Sequence, residues 1–409
     1  MTLRRRIGSA LVGLAFVLVL LAWLTYVIRE SPLAVILDVP AVGMGLGMSG
    51  LTIAAVGVTL TRANGGSKLA RTLGGIVAVA ALVAAGCLAW FLLSYSAEEV
   101  RFTNGDVVLA GTLHRPRGEG RHPGVVLVHG SGPESRAEYA FYARYLARRG
   151  IAALAYDKRG VGESTGELYQ SDYGDYAEDA LAGVRLLAGR PDVDSTAIGV
   201  VGFSEAEWVA PQAAARSDMV AFVVIVGAAG TTPAEQVASE MTMRLRSRGY
   251  ADSIVQEALA LNERLFAYQR TGDGRDELRA ALNVARTEPW FEDADDIPEE
   301  AYPAEEYAWW RSVMDFDPAP VWEQIRVPVL LLKGGRDDRS PAAPMRERIE
   351  RALQAGGNED LTVHLFPEAD HMLLEWPLGE GTPPPAFSEG YPDVLVEWIE
   401  RQVEGLPRS

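Results

Sequence analysis

The sequence predicts an α/β fold with a doubly wound, mostly parallel sheet, a helical cap insertion, and about three transmembrane helices before the sheet. Two observations predict the sheet: short runs of Val, Ile and Leu recur without polar alternation, and amphipathic helical stretches separate these runs. A third predicts the cap, because residues 231–324 contain helical stretches but no convincing strand. We therefore divide the chain into an anchor at 1–96, a core at 97–230 and 325–409, and the cap.

The first 96 residues are apolar and contain three stretches long enough to cross about 30 Å of hydrocarbon as a helix. These stretches are residues 7–28, 39–60 and 73–95. The basic run Arg4–Arg6 precedes the first stretch, as it would in a cleaved signal peptide. That stretch is long for a signal peptide, no small-residue cleavage site clearly follows it, and two more apolar stretches come after it. We therefore predict a membrane anchor of three spans.

Basic residues on either side of the spans predict their orientation. Arg4–Arg6 precede the first span, and Arg62, Lys68 and Arg71 lie between the second and the third. The positive-inside rule places both clusters in the cytoplasm, so three spans place everything after Tyr95 on the outer face of the cell membrane. The second span is the weakest because its glycines lower helix propensity. If it does not cross, the remaining domain faces the cytoplasm.

Charge is divided between the two parts of the chain. Residues 1–96 hold seven Lys and Arg against two Asp and Glu, about +5, so the remainder of a chain of net charge −17 carries about −22. Such an acidic domain repels nucleic acid, and we expect no nucleic-acid partner. Cys87 is the single cysteine, so no disulfide forms within the chain and the part after residue 96 has no catalytic thiol.

The strands of the predicted core follow in order along the chain. The segment Glu99–Arg115 predicts a hairpin, because alternating apolar residues flank Asn104-Gly105, a favoured type I′ turn pair. The runs after it are continuously apolar, as strands buried on both faces of a parallel sheet are. We predict strands at Val125–Val128, Ile151–Tyr156, Ala197–Val201, Phe222–Val226, Val329–Leu332 and Val363–Phe366.

Helices are predicted between these strands and in the cap. Asp175–Leu187 carries Ala, Leu and Val at helical spacing, and Val394–Val403 reads as a closing amphipathic helix. The cap is predicted to contain helices at Ala234–Arg248, Ser253–Arg270 and Asp276–Arg286.

A serine stands where a buried strand passes into a helix. The run IGVVGFS ends at Ser204, and the stretch Glu205–Arg216 reads as a helix. A sharp strand-to-helix turn exposes a serine hydroxyl and needs small neighbours, and the helix N-terminus offers N–H groups to an oxyanion. By itself, this Gly-x-Ser-x-Ala pattern fits equally a serine that caps the following helix.

A nucleophilic serine needs a base, and the base needs a carboxylate. Of the five histidines, His371 lies in a loop beyond the last predicted strand, and Asp337 and Asp338 follow the strand Val329–Leu332. Each of these residues alone fits a solvated histidine or a turn aspartate. Together with Ser204 they follow the ends of different strands, where open α/β sheets place their sites, in the order Ser, Asp, His. We therefore predict a Ser204–His371–Asp337 triad.

The run VVLVHGSG predicts an oxyanion hole. A strand ends there in a Gly-rich loop, whose backbone N–H groups are free to point at a developing negative charge. We expect one donor from the N–H of Ser131 or Gly132 and the other from the N–H of Glu205.

Six stretches carry a resemblance to a known family: VRFTNGDVVLAGTLHRP, PGVVLVHGSGPESR, YDKRGVGESTG, IGVVGFSEAEWVAP, VPVLLLKGGRDD and FPEADHMLL. From about Glu99 to Val403 the chain resembles the α/β-hydrolase superfamily, particularly bacterial esterase-like members related to serine aminopeptidases and dienelactone hydrolases. The resemblance implies Ser204 as nucleophile, His371 as general base and acid, and Asp337 as the orienting acid, with Asp338 as the fallback.

The chain departs from this family at two positions beside the serine. Relatives usually carry two glycines after the residue that follows the nucleophile, and this chain has Ala206 and Glu207. Alanine is small enough for the turn. Glu207 is expected to bring a negative charge close to the oxyanion, which would narrow the acyl pocket or weaken activity.

We expect a membrane-anchored serine hydrolase that cleaves small-molecule or lipidic carboxylic esters through an acyl-enzyme at Ser204. A peptidase or amidase with the same triad is an alternative, and Glu207 favours a further one, a non-catalytic membrane receptor or scaffold. In the cap, Trp290, Phe291, Trp309 and Trp310 either line the mouth of the acyl pocket or hold the cap together. No metal or organic cofactor is expected, since the acidic run Glu292–Glu306 lacks Ca²⁺-ligand spacing.

Overall fold

A computed structural model describes residues 94–376 and 386–404, together with Leu82. The predicted spans 7–28, 39–60 and 73–95 lie outside these residues, apart from Leu82 and the last two residues of the third span. Tyr95 already belongs to a strand, so the third predicted span extends too far. Within the described residues, no helix combines the length and the apolar character that crossing a membrane requires.

An eight-stranded sheet forms the centre of the fold, in the order β1-β2-β4-β3-β5-β6-β7-β8. Strands β1, β2 and β4 pair antiparallel, and every pair from β4 and β3 to β7 and β8 is parallel. This confirms the prediction of a mostly parallel sheet. The strands are β1 Tyr95–Asn104, β2 Val107–Pro116, β3 His122–Val128, β4 Ala152–Tyr156, β5 Val193–Phe203, β6 Phe222–Val226, β7 Val329–Gly334 and β8 Leu361–Phe366, with a separate pair, β9 Leu374–Glu375 and β10 Ala386–Phe387.

Helices cover both faces of the sheet, which explains the continuous apolar strands. The helices are α1 Ala140–Arg148, α2 Tyr173–Ala188, α3 Ala210–Arg216, α4 Pro233–Ser247, α5 Asp252–Thr271, α6 Arg275–Ala285, α7 Ala308–Val313, α8 Ala319–Trp322, α9 Ala342–Ala355 and α10 Tyr391–Glu404. In β3, Val126 and Val128 pack into one core with the helices α2, α3 and α9, while Val125 and Leu127 pack into another with α1 and α10.

The hairpin turn between β1 and β2 differs from the predicted one. Asn104 pairs with Val107, so Gly105 and Asp106 form the two-residue loop. Gly105 has a φ of +56°, and neither Asn104 nor Asp106 has a positive φ. A positive φ at the first loop residue alone is the pattern of a type II′ turn, whereas type I′ requires two. The prediction of Asn104-Gly105 as the central pair of a type I′ turn was therefore wrong by one residue.

The segment between β6 and β7 contains the cap helices α4 to α7. Thr232 caps α4 by accepting from the N–H of Glu235, whose side chain bonds back to the Thr232 N–H, and Gly272 ends α5 with a φ of +79°. The predicted helices at 234–248, 253–270 and 276–286 match α4, α5 and α6 within two residues. Trp290 and Phe291 are buried in a hydrophobic core that the cap forms by itself.

Other aromatic residues of the insertion contact the sheet domain. Trp309 and Trp310 pack against the core that contains α2 and α3. The indole N–H of Trp309 donates to the backbone oxygen of Ser171, at 2.9 Å. Arg339, which follows β7, pairs with Glu240 of α4 at 3.2 Å. These contacts fix one side of the cap over the carboxyl ends of the strands.

Candidate active site

Ser204 lies at a sharp turn directly after β5. Its φ is +51°, and Ser204 opens a short 3₁₀ helix, Ser204–Trp208. Among the residues that the structure describes, only Ser204 and Leu373 have a positive φ without being glycine. Such a conformation costs on the order of 1–3 kcal/mol and persists where the surroundings enforce it. The turn is tight, because a Cβ at Gly202 would lie 2.7 Å from the Cβ of Ala206.

His371 connects Ser204 to Asp337. Its Nε2 lies 2.9 Å from the Ser204 Oγ, and its Nδ1 lies 2.8 Å from the Asp337 Oδ2. An ionised carboxylate only accepts hydrogen bonds, so Nδ1 carries the proton and the Ser204 hydroxyl donates to Nε2. The structure thus brings together the three residues that the sequence singles out. Asp338, the predicted fallback, is exposed.

The carboxylate of Asp337 is buried and accepts several hydrogen bonds. Oδ1 accepts from the N–H of Arg339 at 2.8 Å, and Oδ2 accepts from the ammonium of Lys333 at 2.6 Å as well as from His371. Burial alone would raise the pKa of Asp337, but the hydrogen bond from His371 and the charge of Lys333 lower this pKa to about 2. Asp337 is therefore ionised at neutral pH.

The loop that carries His371 follows β8 and is organised by Asp370. The Asp370 Oδ1 accepts from the N–H groups of Met372 and Leu374, both at 2.9 Å, and Oδ2 accepts from the indole N–H of Trp376. The imidazole lies against Gly227, where a Cβ would come within 2.8 Å of the His371 Cε1. Close approach to Gly227 therefore sets the position of the ring.

Glu207 and Lys333 hold the loop that follows β6. The Glu207 Oε2 accepts from the N–H groups of Ala229 and Gly230, both at 2.8 Å. Lys333 donates to the backbone oxygen of Ala228, at 2.8 Å. Burial raises the pKa of Glu207 to about 7, although the two N–H groups and the charge of Lys333 lower it. The Glu207 Oε2 thus supports the loop beside His371, while its buried Oε1 has no hydrogen-bond partner among the described residues. The effect of Glu207 on the oxyanion and on activity stays a prediction.

The predicted oxyanion loop follows β3. The N–H of Gly130 donates to the Tyr139 hydroxyl at 2.8 Å, whereas the N–H groups of Ser131 and Gly132 have no acceptor among the described residues. His129 begins this loop but is a buried structural residue. Burial, together with the charge of Lys158, lowers the pKa of His129 to about 3, so the neutral ring donates to the backbone oxygen of Tyr156.

A buried ion pair joins this loop to the turn at Ser204. The Lys158 ammonium lies 2.6 Å from the Glu205 Oε1 and donates to the backbone oxygen of Gly130 at 2.9 Å. Glu205 directly follows Ser204 in the 3₁₀ helix, where the first N–H groups have no preceding helical carbonyl. Sequence patterns alone assign no role to Lys158, Lys333 or Asp370. A signal existed for Lys158, which follows β4 at the same edge of the sheet. Within residues 94–376 and 386–404, no group of three or more His, Cys, Asp or Glu side chains is arranged to bind a metal ion.

Comparison with known proteins gives one family. A model of the family described as "Alpha/beta hydrolase family" matches residues 125–383. Esterase EstD of Thermotoga maritima is 27% identical over 295 residues, which cover 70% of this chain and 63% of EstD. The uncharacterized protein PA2218 of Pseudomonas aeruginosa is 30% identical over 189 residues, covering 45% of this chain and 48% of PA2218. The chain thus spans less than two thirds of the length of either relative.

Solved structures with a similar arrangement include the alpha/beta hydrolase GrgF from Penicillium sp. sh18, with a TM-score of 0.49 and 20% identity over 76% of this chain and 99% of GrgF. The Pyrococcus furiosus esterase PF2001 has a TM-score of 0.48 and 17% identity over 77% of this chain and 93% of the esterase. Because the family model covers more than half of the sequence, this chain belongs to the alpha/beta hydrolase family.

Proposed function

We propose that this protein is a serine hydrolase that cleaves carboxylic esters through an acyl-enzyme on Ser204. One observation carries the proposal: the continuous hydrogen bonds from Asp337 through His371 to Ser204, at 2.8 and 2.9 Å. The esterase name of the relative EstD agrees with an ester substrate. Nucleophile and base lie within hydrogen-bond reach, and a third group orients the base, which is the arrangement that nucleophilic catalysis needs.

The reaction begins when His371 takes the proton of the Ser204 hydroxyl and the Oγ attacks the ester carbonyl. The ring becomes an imidazolium, which the ionised carboxylate of Asp337 stabilises. Because the pKa of Asp337 is held near 2, this carboxylate does not take up the proton itself. His371 then donates its Nε2 proton to the leaving alkoxide, and the acyl group remains on Ser204.

The tetrahedral intermediate carries a negative oxygen that needs hydrogen-bond donors. We assign these donors to the N–H of Glu205 and the N–H of Ser131 or Gly132, since both loops lie at the carboxyl ends of neighbouring strands. Each such donor contributes about 3 kcal/mol to stabilising the transition state. Water then attacks the acyl-enzyme with His371 as base, and the same donors hold the second intermediate.

Aromatic residues beside the turn support an apolar acyl or alcohol group in the substrate. Tyr173 stacks on Trp208 with ring centroids 5.4 Å apart, and Trp208 follows Ser204 in the same 3₁₀ helix. Trp309 contacts the exposed Tyr169 at 5.6 Å, so aromatic side chains extend toward the surface. We therefore favour a small-molecule or lipidic ester over a highly charged one as the substrate.

We also propose that the residues before 94 anchor the enzyme in the cell membrane with the catalytic domain on the outer side. The sequence supports this proposal. It contains three long apolar stretches, and basic residues flank these stretches at the ends that the orientation places in the cytoplasm. A membrane-impermeant fluorophosphonate applied to intact cells tests this orientation. Labelling of intact cells is expected, and labelling that requires lysis would overturn it.

Covalent labelling tests the catalytic proposal. A fluorophosphonate probe is expected to label the wild-type protein and the control Ser247→Ala, an exposed serine at the end of α4, but not Ser204→Ala. Hydrolysis of p-nitrophenyl esters is then compared with hydrolysis of aminoacyl anilides. Faster cleavage of anilides than of esters would show that the protein is a peptidase or amidase rather than an esterase. If folded wild-type protein neither reacts with the probe nor hydrolyses any substrate, the non-catalytic receptor or scaffold would be favoured.

A further inference from the structure

Lysine is rare in this chain, and its positions are unusual. The sequence has 38 Lys and Arg residues in total. Three of them are lysines, Lys68, Lys158 and Lys333, and all the others are arginines. In the described part of the chain, both lysines are buried, with side chains 5% and 0% exposed. Lysine offers a compact point charge with three donors, whereas arginine offers a wide planar fork. The chain therefore has lysine at two enclosed positions near the turn at Ser204.

Lys158 bonds to both loops that carry the proposed oxyanion donors. Its ammonium donates to the backbone oxygen of Gly130, after β3, and to the Glu205 carboxylate, after β5. The ring of Tyr176 lies 4.7 Å away and covers the ammonium on another side. One side chain from the loop after β4 thus holds two separate loops at a fixed spacing.

The bond to Gly130 acts on a particular peptide group. The carbonyl of Gly130 and the N–H of Ser131 belong to the same peptide, and a trans peptide points these two groups in opposite directions. With its oxygen bonded to Lys158, the peptide directs the Ser131 N–H away from the lysine. A charged donor at the oxygen also polarises the peptide, which makes the N–H at its other end a stronger donor.

We propose that Lys158 is a positioning residue for the oxyanion hole. Lys158 holds the Ser131 and Glu205 N–H groups at a fixed spacing and makes the Ser131 N–H a stronger hydrogen-bond donor. Lys158 acts through these backbone groups and does not touch the substrate. The inference rests on the proposed serine-hydrolase function of Ser204. It selects Ser131 over Gly132 as the donor from the loop after β3, because only the Ser131 N–H shares a peptide with the bonded oxygen.

The test is Lys158→Met in the full chain, with active sites counted by fluorophosphonate titration. We expect kcat per labelled site to fall by about 10- to 100-fold, somewhat less than the loss of a direct donor, with KM changed by less than about threefold. A trifluoromethyl ketone forms a tetrahedral adduct with a serine, so its affinity should weaken by the same factor as kcat/KM. A role in folding alone would lower the number of labelled sites and leave kcat per site unchanged.

A matched control lies at the next residue. Arg159 is also buried and pairs with Asp179 at 2.6 Å, but its bonds go to α2 and the segment before it, not to the oxyanion loop. We expect Arg159→Met to lower the melting temperature and leave kcat per labelled site unchanged. The double variant Lys158→Met/Glu205→Gln guards against misfolding, because it leaves no unpaired buried carboxylate. It should fold and remain slow.

The outcomes separate the two proposals. Wild-type kcat per site in Lys158→Met or in the double variant overturns the role of Lys158 and leaves the hydrolase intact. An equal loss in Arg159→Met also overturns it, since any broken ion pair would then suffice. Folded wild-type protein that neither labels nor hydrolyses esters overturns the proposed function, and the role of Lys158 with it.

Discussion

The two sides of Ser204 are built alike and are used differently. On the oxyanion side, Lys158 pairs with Glu205 and a loop carbonyl. On the triad side, Lys333 bonds Asp337, while Glu207 holds the neighbouring loop. The first lysine contacts no group that exchanges a proton during the proposed reaction, whereas the second shares an acceptor with His371. In the proposed reaction, one side therefore sets the geometry of the oxyanion donors, and the other sets the position of the base.

The two glutamates, one on each side, come from one short run of sequence. Glu205 and Glu207 belong to the same 3₁₀ helix, in which residues two apart are separated by about 120° around the axis. Their carboxylates therefore enter different surroundings, one beside Lys158 and the other beside the N–H groups of Ala229 and Gly230. The different partners of Glu205 and Glu207 follow from this rotation.

The largest effect is expected on the triad side from Asp337→Asn. An amide cannot hold the histidine in the tautomer that accepts from the serine, and such a change lowers kcat by about 10⁴-fold. Steady-state ester hydrolysis measures it. Asp338→Asn is the control, because Asp338 is the exposed neighbour and should keep wild-type kcat. If the two variants were equally impaired, Asp337 would not be the orienting acid.

Lys333→Met is expected to have the next largest effect, mainly on stability. Removing one partner of a buried pair costs about 3–5 kcal/mol in the free energy of unfolding, measured by urea denaturation. His371 keeps its bond to Asp337 in this variant, so kcat per labelled site should fall less than in Asp337→Asn. Lys158→Met, by contrast, should lower kcat per labelled site by about 10- to 100-fold, and an equal loss in both lysine variants would remove the distinction between the sides.

Glu207→Gln should change how stability depends on pH. The ordinary pKa of this carboxyl is 4.5 and its folded pKa is about 7, so the folded protein keeps a proton that the unfolded chain releases. This contribution is fully present below pH 4.5 and is lost as the pH rises through about 7, a change of at most about 3 kcal/mol. Wild type should therefore lose stability relative to Glu207→Gln between these pH values.

Urea midpoints at several pH values check this expectation, with the exposed Glu263→Gln as the control that keeps the wild-type dependence. A constant difference between wild type and Glu207→Gln across the range would mean that Glu207 stays ionised. The loop after β6 would then be held by a permanent charge, as the loop after β3 is held by Lys158.

The smallest effect is expected where the triad side meets the cap. Arg339 follows Asp337 by two residues and pairs with Glu240, but its side chain is 44% exposed. Exposed pairs contribute about 0–1 kcal/mol, so Arg339→Gln should change the urea midpoint and KM only slightly. Arg346→Gln, which breaks a surface pair within α9, is the control for a charge change alone. A large rise in KM for Arg339→Gln only would indicate that this pair sets the position of the cap over the site.

The sequence was sufficient for the strands and for the positions of the triad residues, because both depend on local patterns. Buried parallel strands are continuously apolar, and Ser204 comes directly after such a run. Asp337 and His371 lie in the loops that follow β7 and β8. The turn after β1 was misassigned because Asn and Gly are both common in two hairpin types. Pairing register, which decides between them, depends on the partner strand.

The contacts of the buried charges could not be predicted in the same way. Lys158 and Glu205 are 47 positions apart, and nothing local says that their loops meet at one edge of the sheet. The position of Glu207 in the chain suggested a charge at the oxyanion, but its direction depends on a 3₁₀ helix rather than an α-helix. Tertiary contacts thus determine that Glu205 bonds Lys158 and that Glu207 bonds the loop beside His371.

The scarcity of lysine also gives this domain an unusual chemical surface. Across residues 94–376 and 386–404, both primary amines of the side chains are enclosed close to the turn at Ser204. Acylating reagents, amine-directed cross-linkers and biotinylation kits therefore have no accessible lysine target on the folded domain. Modification of either amine would report that the region around the serine had opened, so a routine labelling reagent becomes a sensor of local unfolding.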